Sequence, residues 1–219
     1  MMEPEETISP LKDVWLRPRR VFRSLAESPI GLTDYVLAAT LGASNFLAFY
    51  RTQGAETHPP ITTVLGTTLA YGTLGGISSL LLMGLIYSRI GKRSGGKATL
   101  TQVVHVLAYG SVPMAASVGL WVLAALLAGD AAFLAVPRAD MEGFPAFLLH
   151  AQLAAYLLLL LWSVVLQVMG LSEIQGFAMG KAFGVWLLGQ CLGLLAWLFL
   201  AVILDLLLSG GLFHFAPDR

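Results

Sequence analysis

The sequence predicts an all-α fold, a polytopic membrane protein made of a bundle of five transmembrane helices with an N-terminal amphipathic helix. Three observations lead there. Of 219 residues, 57 % are apolar and 12 % charged, with a mean hydropathy of +0.76, whereas soluble domains hold about 45–50 % apolar residues. The apolar residues gather into five long stretches. The basic residues then alternate between the polar stretches in the way that orients membrane spans. Thirteen Lys and Arg balance thirteen Asp and Glu, so no global basic field exists to hold nucleic acid. A lone cysteine, Cys191, excludes a disulfide-stapled fold and a thiolate metal cluster.

Residues 1–32 form a polar, basic segment. Within it Leu11, Val14, Trp15, Pro18, Val21, Phe22 and Leu25 recur at intervals of three and four, with Arg17, Arg19, Arg20 and Arg23 largely off that stripe. This spacing predicts one or two short amphipathic helices, with Pro18 in the first turn of a helix running to about Ala26, where its missing N–H costs nothing. Such a segment lies in the inner membrane interface, drawn to anionic headgroups, or caps the bundle from below, and the two roles are compatible. The first apolar stretch lies too deep for a cleavable signal peptide.

The five apolar segments fall at 34–50, 61–88, 103–128, 147–169 and 183–208, inside a five-span unit at 33–210 with a short tail at 211–219. Crossing a core of about 30 Å takes about 20 helical residues. The first segment is at the short edge of that length and carries Asn45 near its middle, which leaves a shallow re-entrant hairpin as the alternative to a span; the second exceeds it, so it tilts or keeps its Thr-rich start in the interface. With the N-terminus inside, ten of the thirteen Lys and Arg fall inside, among them Arg89, Lys92, Arg93 and Lys97 of one loop, and only Arg51, Arg138 and Arg219 outside. Lys and Arg near span ends resist translocation, so the N-terminus is expected in the cytosol and the C-terminus outside. Deleting the first span would put the basic N-terminal segment and the 89–97 loop on opposite faces.

Helices in lipid associate through close backbone approach and interhelical hydrogen bonds. Thr68, Gly72 and Gly76 recur every four residues, and Gly84 and Ser88 resume the series after Leu80. The last span is entered by Gly176, Gly180 and Gly184 and continues with Gly189 and Gly193. The second and fifth spans are therefore expected at the bundle centre, with homodimerisation through the Gly72–Gly76 face as the alternative. Pro113 removes the helical partner of the Tyr109 carbonyl and predicts a kink in the third span.

Little in the sequence points to chemistry. Gly91-Lys92-Arg93-Ser94-Gly95-Gly96-Lys97-Ala98 fits G-x-x-x-x-G-K but has Ala98 where a phosphate loop needs Ser or Thr, and it joins two spans and not a strand to a helix. It reads as a glycine-rich turn carrying basic charge toward acidic headgroups. His58, His105, His150 and His214 show no metal-site spacing, so no metal or cofactor is expected. His105 and Asp205 lie near span ends, at opposite faces, where each can snorkel to the interface. The mid-membrane polar groups Asn45, Ser78, Ser79, Ser117, Ser163 and Gln190 are neutral and suit interhelical hydrogen bonding. Glu173, Gln175 and Lys181 are placed to bridge to the 89–97 loop.

Several of these pieces resemble a known family. Trp15-Leu16-Arg17-Pro18-Arg19-Arg20-Val21-Phe22 is similar to the W-x-x-P-x-x-V-F opening of prokaryotic members of the Yip domain family, the Ypt/Rab-interacting membrane proteins. Gly95-Gly96-Lys97 with Thr99, and then Tyr109-Gly110-Ser111-Val112-Pro113, resemble its inner loop and kinked third helix; Gly170-Leu171-Ser172-Glu173-Ile174-Gln175-Gly176 resembles its last inner loop. The resemblance spans nearly the whole chain and implies five spans in the cell membrane of a prokaryote. Eukaryotic members act in trafficking through Rab GTPases, but the N-terminal segment here lacks their Asp-Leu-Tyr-Gly-Pro motif, and prokaryotic members largely lack an assigned activity.

The expectation is a non-enzymatic integral membrane protein that organises partner proteins or the bilayer. Its binding face would be the cytosolic basic residues Arg17, Arg19, Arg20, Arg23, Arg89, Lys92, Arg93 and Lys97, its packing glycines Gly72, Gly76, Gly84, Gly180 and Gly184, and its kink Pro113. Anionic headgroups and a membrane or cytosolic protein are the expected partners, self-association is left open, and nucleic acid is excluded. The alternative is a small-solute or ion permease with a path through the bundle.

Overall fold

The computed structural model describes residues 8–52, 60–128 and 143–209, and among them there are helices and short connections and no strand. In order come α1 (Pro10–Asp13), α2 (Pro18–Leu25), α3 (Leu32–Thr52), α4 (Ile61–Thr67), a π-helical turn (Thr68–Gly72), α5 (Thr73–Arg93), α6 (Leu100–Gly110), α7 (Val112–Ala128), α8 (Phe144–Gln175) and α9 (Met179–Ser209). Four helical lengths are long and apolar enough to cross a membrane: Ile61–Arg93, Leu100–Leu127, Ala146–Gln175 and Met179–Ile203. They make the chain an integral, multi-pass membrane protein. α3 is not among the four. Its 21 residues reach about 31 Å at about 1.5 Å each, but Asp34, Asn45 and its hydroxyl residues lower its hydropathy. Arg138, Arg219 and the tail at 211–219 lie outside the described residues, as do His58 and His214.

The bundle is assembled by backbone proximity around α3 and α5. A Cβ placed on Gly76 would run into the Ala38 carbonyl, and one on Gly42 into the Gly72 carbonyl and the Gly76 backbone. The Gly72–Gly76 face is thus closed by α3 of the same chain, which is the contact small residues permit between helices in lipid. Gly84 faces Val104 of α6. The last helix differs from expectation. Gly180 and Gly184 face open space, and the close contacts come one turn later, where Gly189 meets the Tyr87 ring and Gly193 meets Met83. Tyr87 also donates its hydroxyl to the Trp186 carbonyl at 2.9 Å. Only 11 % of the apolar window of α9 is buried, against 50 % for α6 and α7. The third apolar length, not the fifth, occupies the centre.

That central length is broken, and the break lies before Pro113. α6 ends at Gly110, Ser111 turns with φ −90° and ψ 1°, and α7 restarts at Val112. Ser111 Oγ–H donates to the Ala108 carbonyl at 2.7 Å. Met114 N–H reaches across to Ser163 Oγ of α8 at 3.2 Å. Ser117 Oγ–H goes to the Met114 carbonyl at 2.6 Å, so Ser44 of α3 must donate in its 2.5 Å contact with Ser117 Oγ. Polar groups freed by proline-type breaks need partners inside the protein, and serines on three helices supply them. In the preceding length, the π turn is the irregular element, and its residue Gly72 is the one pressed against Ala43 of α3.

Candidate functional site

The N-terminal segment folds onto one end of the bundle. Pro18 is the first residue of α2, and Val14, Pro18, Val21 and Phe22 are buried. The Phe22 ring and Val106 of α6 fill the space that Gly170 of α8 leaves open. The apolar stripe of this segment therefore covers the bundle, leaving Leu11 and Leu16 exposed beside it. One turn further along α8, Glu173 Oε1 accepts a 2.5 Å hydrogen bond from Arg23 Nε. That bond and the carboxylate charge hold the Arg23 guanidinium above its ordinary value.

Two residues beyond Glu173, Gln175 secures the second basic segment. Its side chain is buried between Gly91 and Gly96, and its Oε1 accepts from Ala98 N–H at 3.2 Å. The turn closes on itself through Gly96 N–H to the Gly91 carbonyl at 2.8 Å, with Gly95 at φ +81°, a backbone region that favours glycine. The interior of the G-x-x-x-x-G-K match is filled by an amide side chain and offers no phosphate cradle. Gln175 Nε2 finds no partner among the described residues. Thr99 then caps α6 in a reciprocal pair with Gln102, whose Nε2 donates to the Ala26 carbonyl after α2 at 3.1 Å. Glu173 thus bridges to α2 instead of the 89–97 loop, and Lys181 sits over the Phe177 ring at 4.4 Å. Only Gln175 reaches the loop.

His105 does not snorkel. It is 3 % exposed, with Nδ1 2.7 Å from Asp34 Oδ1 and Nε2 3.0 Å from the Ser28 carbonyl. A carbonyl only accepts, so Nε2 carries a proton. Asp34 Oδ2 accepts from Gly31 N–H at 2.9 Å. The cluster joins the start of α3, the α2–α3 connection and the first turns of α6. The sequence held a signal for it: in the expected topology both helices start at the same face, three and six residues in, so an acid and an imidazole are at one depth. The side chain of Asp205 lies outside the described residues.

Arg17, Arg19, Arg20, Arg23, Arg89, Lys92, Arg93 and Lys97 are all exposed, and the two segments that carry them are anchored on the last turn of α8. Deeper along the bundle is an open-sided cavity of about 400 Å³, bounded chiefly by α3 and α5 and lined further by Leu107, Ala108, Ser111, Gln167, Gln190 and Trp197. Asn45, Ser79 and Gln190 reach it from three helices, and Gly72, Gly75 and Gly76 leave the room for it. Gln167 is engaged by Trp186 Nε1–H at 2.9 Å, and the Tyr156 hydroxyl approaches Asn45 Oδ1 at 3.5 Å. No group of three His, Cys, Asp or Glu able to hold a metal occurs among the described residues.

No curated protein and no solved structure matches this chain. A family model does: that of the Yip1 domain covers residues 12–202, from the segment folded under the bundle to the last turns of α9, and with a match of that extent the chain belongs to the Yip1 domain family.

Proposed function

We propose that this Yip1-domain protein is a non-enzymatic organiser of the membrane, gathering partner proteins or anionic lipid on a basic cytosolic face. In this reading α3 completes a set of five spans, the N-terminus is cytosolic and the C-terminus outside, in the cell membrane of a prokaryote. α2 serves as the amphipathic cap of the inner face. The observation that carries the reading is the double anchoring on α8: Glu173 holds Arg23, Gln175 holds the 91–98 turn, and the eight basic side chains from Arg17 to Arg23 and from Arg89 to Lys97 are exposed. A rigid, exposed basic surface at headgroup depth suits acidic lipid or an acidic protein surface.

Native mass spectrometry of the protein extracted gently from its own membrane tests this, recording copurifying proteins and lipids together. A stoichiometric partner or selectively retained anionic lipid is expected, and its loss from the Arg19→Gln, Lys92→Gln, Lys97→Gln variant. Retention of neither, or retention that the variant leaves unaltered, would overturn the reading.

The cavity favours a second reading, a small-solute permease. Asn45, Ser79 and Gln190 bring neutral hydrogen-bonding groups into one mid-membrane space, where a polar side chain lacking a partner is costly. Flux of a panel of small neutral solutes into vesicles carrying the protein would support it if Gly75→Phe, which projects into open space, abolished that flux; no flux across the panel would dismiss it.

A further inference from the structure

The basic face contains a more specific feature on the flank between α5 and α9. Leu81, Leu85, Arg89 and Arg93 stand every four residues along α5, and all four are exposed. Residues four apart form one ridge on a helix, so this ridge changes along its length from two leucines to two arginines. Beside it lies a groove of about 290 Å³ whose walls are Leu85, Ile86, Arg89, Ile90, Arg93 and, from α9, Leu192. The arginines sit at the helix terminus, where headgroups lie, and the leucines lead toward the hydrocarbon. No ion pair links either arginine to a carboxylate of the described residues, among which Glu173 is taken by Arg23 and Asp34 by His105.

We infer that this groove is a binding site for one anionic glycerophospholipid, its phosphate held by Arg89 and Arg93 and an acyl chain laid between Leu85, Ile86 and Leu192. The inference rests on the basic-face reading and narrows it to a place and a ligand. Charge complementarity selects the occupant. Two guanidiniums one turn apart match a phosphodiester, whose oxygens accept paired N–H donors. The apolar wall below them matches a chain and nothing water-soluble. From Arg89 to Leu81 the ridge descends about 12 Å, enough to line the upper half of an acyl chain in one leaflet.

The experiment is native mass spectrometry of the full chain in detergent with phosphatidylglycerol and phosphatidylcholine of identical acyl chains, added in equal amounts. The first lipid retained should be phosphatidylglycerol, with a preference of about tenfold, the size expected of charge-assisted hydrogen bonds. Arg89→Gln with Arg93→Gln should remove the preference, and Arg89→Lys with Arg93→Lys should keep part of it, because charge remains and the planar fork is lost. Leu85→Trp, which fills the groove and keeps both charges, should lower retention of the lipid. Glycerol 3-phosphate in excess should fail to displace it, because it lacks the chain.

Equal retention of phosphatidylglycerol by the wild type and the glutamine pair would overturn the inference, as would displacement by glycerol 3-phosphate. The broader reading fails separately. Retention lost from Arg19→Gln, Lys92→Gln, Lys97→Gln but kept by the Arg89, Arg93 pair would leave the basic face standing and remove the groove from it.

Discussion

Asp34 and His105 meet at 2.7 Å, each 3 % exposed, in a pair that joins α3 to α6 across 71 residues of sequence. Removing one member strands the other. A single Asp34→Ala or His105→Ala change should therefore cost about 3–5 kcal/mol, the range for breaking a buried ion pair. Asp34→Leu combined with His105→Leu should cost less than the two single losses together, since neither member is then buried without the other, although the Gly31 amide and the Ser28 carbonyl still lose their partners. Thermal unfolding of the three variants in one detergent checks this, and additive losses would show that the pair does not act as a unit.

Gly75 and Gly76 are neighbours with opposite surroundings. A methyl group on Gly76 would strike the Ala38 carbonyl, whereas one on Gly75 meets nothing within 4 Å. Gly76→Ala should force α3 and α5 apart and cost at least about 1–3 kcal/mol, as overpacking does; Gly75→Ala should be close to neutral. Fluorescence-detected size-exclusion chromatography after a heat step separates the two. If Gly76→Ala stayed folded and lost only a dimer, the face would serve a second copy in place of α3.

These glycines also mark where the sequence is legible. Thr68, Gly72 and Gly76 announce a close-packing face by spacing alone, because small residues every four positions have few other uses in lipid. The partner, Gly42 of α3, gives no such sign, since a lone glycine between Leu41 and Ala43 has no period. The spans could be read from apolarity because lipid demands it of every residue facing outward. For the same reason Gly180 and Gly184 misled: in an outer helix, glycines at a regular spacing can simply face lipid, and only the ring of Tyr87 shows that Gly189 is the contact. The Asp34–His105 pair is legible only when the shared depth of the two helix starts is combined with the topology, because the two residues stand 71 positions apart and no local spacing links them.

Gln175 should control the shape of the 91–98 turn. Its Oε1 holds the Ala98 amide at 3.2 Å and its side chain fills the space between Gly91 and Gly96. Gln175→Ala removes both, while the helices on either side keep their own packing. Losing a hydrogen bond of about 1 kcal/mol should open the turn about fivefold more often. Limited trypsin digestion, with Lys92, Arg93 and Lys97 as its sites, should speed up by about that factor. An unchanged rate would mean that the Gly96 to Gly91 hydrogen bond holds the turn by itself.

Arg23 and Phe22 both hold α2 against α8, and they should not matter equally. The Arg23 side chain is 70 % exposed in its ion pair with Glu173, and exposed pairs contribute about 0–1 kcal/mol because water and salt screen them. Phe22 is 1 % exposed and fills the space beside Gly170 and Val106. Its truncation to Ala should cost about 3–5 kcal/mol, felt first as loosening of α2, whose largest buried side chain it is. Hydrogen exchange of the Phe22 and Arg23 amides, followed in Glu173→Gln and in Phe22→Ala, reads the difference directly. Protection should fall slightly in the first and collapse in the second. Equal loss in both would make the ion pair the true anchor and would place α2 under the control of ionic strength.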